Sequence, residues 1–280
     1  MKLPFRGLLA ACPLLLSVFV SAPLALSAQE NGVLSTSKFM MIDREFVKPG
    51  KQGTAHETTE GAFIRAMAAS KTPASHYFAA VSLSGPSRVL FLYPYPSLAA
   101  VEAEHKAIDS DPVLSAALDR AASADGDLLS SFDSSTWATR LDLSLNPGLR
   151  VGSHYLEISQ FVVRPGHHKE WEDLVKLVTA GYKKGVPEAH WGMYEEVYGS
   201  PGGAYLVISS AKSATDLDNE FASGKKFEEA MGEEGLKKLE ALEASCVESR
   251  MTTLFWIDPK MSNPSETMTK ADPDFWKGQP

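Results

Sequence analysis

The residues best suited to chemistry in this sequence are a histidine, a tyrosine and a glutamate on one predicted strand. His190, Tyr194 and Glu196 are separated by even numbers of residues, so one face of a strand would carry all three. Imidazole can act as a general base or as a ligand of a metal or haem near neutral pH. The tyrosine could orient the ring and the glutamate could accept a proton. These three residues are the candidate catalytic residues.

His76 occupies the matching place in the first half of the chain. It precedes an aromatic residue, as His190 does, but Ala80 and Ser82 stand where the second half has a tyrosine and a glutamate. Only the second half could then be catalytic. The alternative is that both histidines cap a strand end or pack structurally, because a repeated residue in a duplicated fold often marks architecture.

A second set of candidates lies on the first strand of each half. The alternation over 154–163 predicts a strand with Leu156 and Ile158 against helices. The other face would then turn toward the opposite half, where it could line a small-molecule pocket or form a filled interface. The candidate ligand-binding residues are Tyr155, Glu157, Ser159, Asp43 and His76.

No metal site is predicted. His167 and His168 begin a helix beside Glu170, but adjacent helical residues point about 100° apart and cannot readily share an ion. Cys246 has no basic neighbour in sequence that would favour a thiolate, so a buried and inert thiol is predicted. No nucleophile elbow, phosphate loop or dinucleotide-binding glycine pattern is recognisable in the sequence.

The elements that must position these candidates occur twice. Phe46–Gly50 recurs as Phe161–Gly166, and Asn146-Pro147 recurs as Asp258-Pro259. Each copy has the order strand, helix, two strands, helix, strand, which makes a four-stranded antiparallel sheet with its helices on one face. Two such sheets in one chain can pack their uncovered faces together.

The pattern also predicts where each element lies. In the first copy it predicts strands over 39–47, 75–83, 87–93 and 136–143, helices over 54–70, 98–107 and 112–122, and a loop over 123–135. In the second copy it predicts strands over 154–163, 189–198, 204–209 and 247–257. One helix is predicted between the first and second of these strands and another between the third and fourth.

The run Tyr155–Trp171, with its Arg164-Pro165-Gly166 turn, resembles the opening of the dimeric α/β-barrel superfamily, especially NIPSNAP-like and EthD-like domains. The first copy keeps Phe46–Gly50 but lacks the aromatic residue on its helix. The resemblance implies a ferredoxin-like fold in each half and a barrel between them. It also implies a choice among cofactor-free oxygenases, isomerases and haem enzymes. We expect an α+β fold of two tandem ferredoxin-like (βαββαβ) repeats forming an intrachain α/β barrel with antiparallel sheets.

The N-terminus predicts export. Lys2 and Arg6 precede an apolar run that closes on small residues, as in a cleaved secretory signal. An uncleaved membrane anchor and a lipoprotein attached at Cys12 are the alternatives. The predicted organisation is a signal peptide (1–28), a first repeat (37–146), a second repeat (153–260) and an extended polar tail (261–280). The predicted location is the periplasm or the extracellular space, with no integral membrane span in the mature chain.

Charge and cysteine content exclude several classes of partner. Without the predicted signal the chain carries 25 basic and 35 acidic residues, with no cluster of lysine or arginine. Nucleic acid and anionic membrane surfaces are therefore not expected as partners. Cys246 alone remains after cleavage, so no intrachain disulfide can form.

Three functions stay open on the sequence. The first is an exported barrel that binds a small apolar or aromatic molecule between its halves, with cofactor-independent proton transfer or oxygenation as its reaction. The second is a non-catalytic envelope or secreted module that binds another protein. The third is a haem enzyme, since a histidine and a covered pocket would be available, although no distinct ligand motif is present. No cofactor is predicted.

Overall fold

A computed structural model describes residues 37–70, 72 and 75–278, and the predicted signal peptide lies outside them. The first repeat contains β1 (Phe39–Val47), α1 (Thr54–Ala69), β2 (Tyr77–Ser82), β3 (Val89–Tyr95), α2 (Leu98–Asp109), α3 (Pro112–Gly126) and β4 (Leu129–Thr139). A short 3-10 helix (Leu141–Leu143) follows. The second repeat contains β5 (Tyr155–Val163), α4 (His168–Gly185), β6 (Gly192–Tyr198), β7 (Ala204–Ala211), α5 (Ala214–Cys246) and β8 (Val247–Asn263), and α6 (Glu266–Ala271) and α7 (Pro273–Trp276) end the chain.

The eight strands form one closed antiparallel barrel in the order β1-β3-β2-β8-β5-β7-β6-β4. Each repeat contributes four neighbouring strands, and the two sets are joined where β2 pairs with β8 and β4 pairs with β6. Within each repeat the first strand lies between the last and the third, as expected for a βαββαβ unit. The predicted fold class, two tandem ferredoxin-like repeats forming an antiparallel barrel, is confirmed.

The barrel interior is filled with apolar side chains from both repeats. Leu156 and Ile158 pack there, so the prediction that they lie against the helices is wrong. The residues that alternate with them, Tyr155, Glu157 and Ser159, lie on the outer face instead. Both faces of these strands are covered, and hydrophobic alternation therefore cannot identify the inner one. The interior includes Met40, Ile42, Phe78, Leu90, Leu92, Trp137, Leu206, Ile208, Phe255 and Ile257.

Helices cover the outer faces of the barrel. In the second repeat, α4 packs Trp171, Leu174 and Val175 against β5, and Cys246 is buried in the same layer. Burial raises the pKa of this thiol, which agrees with the predicted inert cysteine. Among the described residues, no helix has the length and apolar character required to cross a bilayer.

β4 begins earlier than the sequence predicted. Ser123–Ser135 was expected to be a loop, but α3 continues to Gly126 and β4 starts at Leu129. β1 pairs with β4 along its whole length. The serine-rich segment is therefore a strand because it is hydrogen-bonded to a neighbouring strand, although its own residues have little preference for that conformation.

The predicted extended polar tail is instead a folded segment that closes one end of the barrel. β8 continues to Asn263, and α6 and α7 then bury Met268 and Trp276 in the interior core beside Phe78. Burial of these two large apolar side chains is enough to hold α6 and α7 against the barrel, although most residues of this segment are polar.

Candidate metal centre

Four ionisable side chains converge between the outer face of the first sheet and its helices. Glu45 lies on β1, His56 and Glu60 lie on α1, and Asp125 lies near the end of α3. Residues four apart share one helix face, so α1 directs both of its side chains toward β1. All four residues are buried, and their possible ligand atoms lie within 4.8 Å of one another. We call this group the carboxylate cluster.

The imidazole stands at the centre of the carboxylate cluster. His56 Nε2 lies 2.8 Å from Glu45 Oε2, 3.3 Å from Asp125 Oδ1 and 3.9 Å from Glu60 Oε1. The Thr59 hydroxyl lies 2.7 Å from the same oxygen of Asp125. One ring nitrogen therefore faces three carboxyl groups, although it carries at most one hydrogen to donate.

The carboxylate cluster contains three buried carboxyl groups and only one group, the imidazole of His56, that could carry a positive charge. Oε1 of Glu60 is buried without a hydrogen-bond partner. Burial, followed by the charges of Glu45 and Asp125, raises the pKa of Glu60 well above its usual range. Burial also raises the pKa of Glu45, and its hydrogen bond with His56 opposes that shift. The carboxyl groups of Glu45 and Glu60 therefore either retain protons or need a nearby cation to ionise fully.

The second repeat fills the same place with apolar side chains. Phe161 matches Glu45 in position, since each is the seventh residue of its strand. On α4 the buried residues Trp171 and Val175 are four apart, as His56 and Glu60 are on α1. The Phe161 and Trp171 rings pack with centroids 4.9 Å apart. The fold is therefore built without ionisable groups here in one of its two copies. This contrast points to a specific role for the carboxylate cluster, because burying such groups opposes folding.

The donor set of the carboxylate cluster fits a divalent transition metal. Nitrogen and oxygen ligands lie about 2.0–2.2 Å from such an ion, which places tetrahedral ligands about 3.4 Å apart. The distances of 2.8, 3.3 and 3.9 Å from His56 Nε2 span this value. Imidazole suits iron and zinc, whereas carboxylates suit manganese. Small side-chain shifts would bring the four ligands around one ion of this group.

A pocket of about 200 Å³ lies beside the carboxylate cluster. His56 forms part of its wall. The apolar lining includes Val47, Val89, Trp256 and Met261, and the other polar lining residues are Gln52, Glu57, Ser87, Arg88 and Asp258. Apolar walls with a few polar groups are typical of small-molecule sites. The volume lies below the roughly 300–1,000 Å³ of sites for drug-sized ligands, so this pocket suits a compact molecule.

His190 lies elsewhere, buried near the closed end of the barrel. Its Nε2 atom lies 3.0 Å from the Ser210 hydroxyl and accepts from the Ser210 backbone N–H at 3.3 Å. Burial, followed by the charge of Arg150, lowers the pKa of His190 to about 4. The imidazole is therefore neutral near pH 7 and is bonded within the protein, which favours the structural alternative for this residue.

Tyr194 and Glu196 do not form a site with His190. Tyr194 is buried in the barrel core, and burial raises its pKa. Glu196 is half-buried on β6, opposite Trp137 of β4. No hydrogen bond or ion pair joins any two of the three residues within the described ranges. Neighbours on one strand face are separated by about 6.6 Å, so these groups would meet only through a ligand.

The candidate ligand-binding residues are also dispersed. Tyr155 packs edge-on against a tryptophan of β8, and Ser159 is hydrogen-bonded to a threonine of β8 at 2.7 Å. Glu157 is half-buried on the same outer face. His76 is exposed, with Nδ1 3.3 Å from a backbone oxygen of β8. Asp43 alone lies near the carboxylate cluster, on the same face of β1, and burial raises its pKa.

The sequence reasoning missed the carboxylate cluster because its members come from three separate elements. One signal was present: His56 and Glu60 stand four apart at the positions where α1 must face the sheet. Asp125 fell within the predicted loop over 123–135, so nothing placed it near α1.

Neither of the two cavities lined by His56 or by the two arginines Arg44 and Arg88, nor the surroundings of His190, fits haem. The pocket beside His56 has about 200 Å³, and a cavity at the barrel mouth has about 30 Å³. A porphyrin belongs to the class of ligands that needs roughly 300 Å³ or more. His56 faces three carboxyl groups, and the ring nitrogen of His190 is already bonded to Ser210.

Comparison with known proteins supports the fold. No protein family and no curated protein matches this chain by sequence. Two proteins described as "putative monooxygenase" share its structure. The one from Fusobacterium nucleatum has a TM-score of 0.53 at 10% identity, covering 80% of this chain and 93% of that chain. The one from Lactobacillus acidophilus has a TM-score of 0.50 at 6% identity, covering 79% and 94%. At such identities the likeness shows a shared ferredoxin-like α/β-barrel fold alone.

Proposed function

We propose that this protein binds one divalent transition metal ion through Glu45, His56, Glu60 and Asp125, and a compact molecule in the adjoining pocket. The observation that carries the proposal is the buried, unpartnered Oε1 of Glu60. It belongs to a set of three carboxyl groups with a single imidazole. A dication would neutralise two of the three carboxylate charges and give this oxygen a ligand.

We further propose that the reaction is a two-electron oxidation of the molecule in the pocket, with dioxygen as the co-substrate that takes up the electrons. Two structures that share the fold carry monooxygenase names, and iron and manganese are redox-active metals that this donor set suits. The apolar side chains of Val47, Val89, Trp256 and Met261 would contact the apolar part of the molecule, and the polar residues of the same wall would contact its polar groups. In this proposal the ligand lies beside α1, where the first repeat meets β8 of the second, rather than inside the barrel, which apolar side chains fill.

The metal proposal predicts a stabilised protein. After treatment with a chelator, adding Mn²⁺ or Fe²⁺ at a concentration one hundred times its Kd should raise the free energy of unfolding by about 2.7 kcal/mol. Anaerobic thermal unfolding measures the stability, and elemental mass spectrometry of the purified protein measures the bound metal. Zinc as the only bound metal would refute the oxidation proposal and keep the metal centre.

Substitution of Glu60 should weaken metal binding without lowering the stability of the metal-free protein. Glu60→Gln should weaken metal binding at least about tenfold, since a ligand is lost. In the metal-free protein the same variant should be at least as stable as the wild type, because it removes a buried carboxyl group that lies against two others and whose Oε1 has no hydrogen-bond partner. Glu102→Gln, which breaks an exposed ion pair on α2, is the matched control. A metal affinity in Glu60→Gln equal to that of the wild type would overturn the proposal.

We also propose that the protein is exported after removal of residues 1–28, and that its two repeats pair with each other rather than with a second chain. Intact mass of the protein from its own cells should correspond to a chain that begins after Ala28. A mass that includes Met1, or a lipid on Cys12, would contradict this prediction.

A further inference from the structure

The end of the barrel opposite the C-terminal helices has a small polar mouth. A cavity of about 30 Å³ opens there, with an apolar floor that includes Ile42, Trp137 and Leu206. Its polar lining comes from Arg44 of β1 and from Arg88, which precedes β3, together with residues of β4 and β5. One water requires about 10–15 Å³ in a cavity, so this mouth has room for about two water-sized groups.

Arg88 is a guanidinium group held in place without an ion pair. Its Nη2 donates to the Thr253 hydroxyl at 3.1 Å, and its Cζ lies 5.5 Å from the centroid of the Phe255 ring. Its Nε is buried and has no hydrogen-bond partner. Within the part of the chain that the structure describes, no carboxylate lies within ion-pair distance of Arg88. Burial, followed by the charge of Arg44, lowers the pKa of Arg88, and the charge of Asp133 opposes this shift.

Arg44 adds a second guanidinium that is only partly used. Its Nε pairs with Asp133, and neither of its Nη atoms has a hydrogen-bond partner among the described residues. Two arginines and one aspartate therefore leave the mouth with an excess positive charge. Guanidinium groups bind carboxylates through paired N–H donors, and such bonds are stronger where water is partly excluded.

Two large side chains, Met251 and Tyr198, are partly exposed at the end of the barrel where this charge lies. Met251 lines the cavity and is 45% exposed. Tyr198, on the inward face of β6 at the same end of the barrel, is 62% exposed. A ligand that places a small anionic group in the mouth could rest its apolar part on these side chains.

We propose that the barrel mouth binds the carboxylate group of a small organic acid between Arg44 and Arg88, with the acid's apolar part at the rim beside Met251. The size of the cavity selects the carboxylate as the inserted group, because the mouth is too small for a ring. The apolar rim favours an organic acid over an inorganic anion. This site contains no residue of the carboxylate cluster and does not depend on a metal. Arg88 also lines the pocket beside His56, whereas Arg44 lines the mouth alone, so Arg44→Gln tests the mouth specifically.

Calorimetric titration of the full chain with benzoate tests the proposal. Benzoate should bind, and benzamide, which has the same shape without the charge, should bind at least tenfold more weakly. Arg88→Gln and Arg44→Gln should each weaken benzoate binding at least tenfold, equivalent to about 1.4 kcal/mol. Arg120→Gln, which changes an exposed arginine of α3, should leave the affinity unchanged.

Further arms separate the alternatives. Arg88→Lys keeps the charge but loses the paired donors, so it should bind benzoate with an affinity between those of the wild type and Arg88→Gln. It also preserves the test if Arg88→Gln fails to fold. Sulfate and phosphate should compete only weakly with benzoate. Equal binding of benzoate and sulfate would show a general anion site and overturn the assignment to an organic acid, as would unchanged benzoate binding in both glutamine variants.

Discussion

Replacing Trp276 by alanine is expected to lower the free energy of unfolding by about 3–5 kcal/mol, the range for removing a large aromatic side chain from a core. Trp276 is 4% exposed and packs in the barrel interior with its ring centroid 6.3 Å from that of Phe78. Its loss would leave a cavity at the end of the barrel that α6 and α7 close. Urea-induced unfolding followed by circular dichroism measures this change.

Lys270→Ala is the matched control for this variant. Lys270 lies on α6 in the same segment but is exposed, so its replacement should change stability by less than about 0.5 kcal/mol. Deletion of 264–280 removes Met268 as well as Trp276 and should destabilise the protein more than the single substitution. An unfolding midpoint for Trp276→Ala equal to that of the wild type would show that the segment does not close the barrel in solution.

The segment is held by a polar contact as well as by its buried side chains. His154 Nε2 lies 2.8 Å from Asp272 Oδ2, and the His154 ring stacks on Phe275 with centroids 4.0 Å apart. None of these contacts can be read from the segment's own sequence, because every partner lies on another element. Composition alone therefore predicted an extended tail.

The sequence was sufficient to predict the architecture. The recurrence of Phe46–Gly50 as Phe161–Gly166 defined two copies, and the order of elements in each copy defined a ferredoxin-like sheet. Pairing of the two sheets followed, because each had an uncovered face. The structure has these repeats in one closed barrel.

The orientation of each strand could not be predicted in the same way. Leu156 and Ile158 are apolar, but Phe161 and Val163, which pack in the layer with α4, are apolar too. Period-two alternation identifies two faces and does not say which of them is inside a barrel. The candidate ligand-binding residues were consequently assigned to the wrong face.

The carboxylate cluster was hidden for a different reason. Its ligands are contributed by β1, α1 and α3, and Asp125 lies 80 residues from Glu45 in sequence. No short motif spans that distance. The comparison of repeats was nevertheless informative, because the polar His56 and Glu60 replace the apolar stripe that α4 shows clearly. A polar pair on the buried face of one copy is a signal that a duplicated sequence makes visible.

His190 should make the stability of the protein depend on pH. The pKa of His190 is lowered from 6.5 to about 4 in the folded protein. Between these values the unfolded chain binds a proton that the folded protein does not, so stability falls as pH decreases through this window. The contribution is complete above about pH 6.5. Between pH 7 and pH 4 the wild type should lose about 3 kcal/mol through this residue.

The difference between two histidine variants isolates this effect from the titration of the carboxyl groups. His190→Gln should remove the component of about 3 kcal/mol and flatten the pH dependence of stability between pH 7 and pH 4. His76→Gln is the control, because His76 holds the matching place in the first repeat but is exposed. Urea unfolding at half-unit pH steps would show both outcomes. A His190→Gln protein that loses as much stability as the wild type over this range would mean that the folded protein protonates His190 as readily as the unfolded chain does. The bond from the Ser210 N–H would then be lost on acidification below about pH 6.5, because a charged imidazole has no lone pair to accept it.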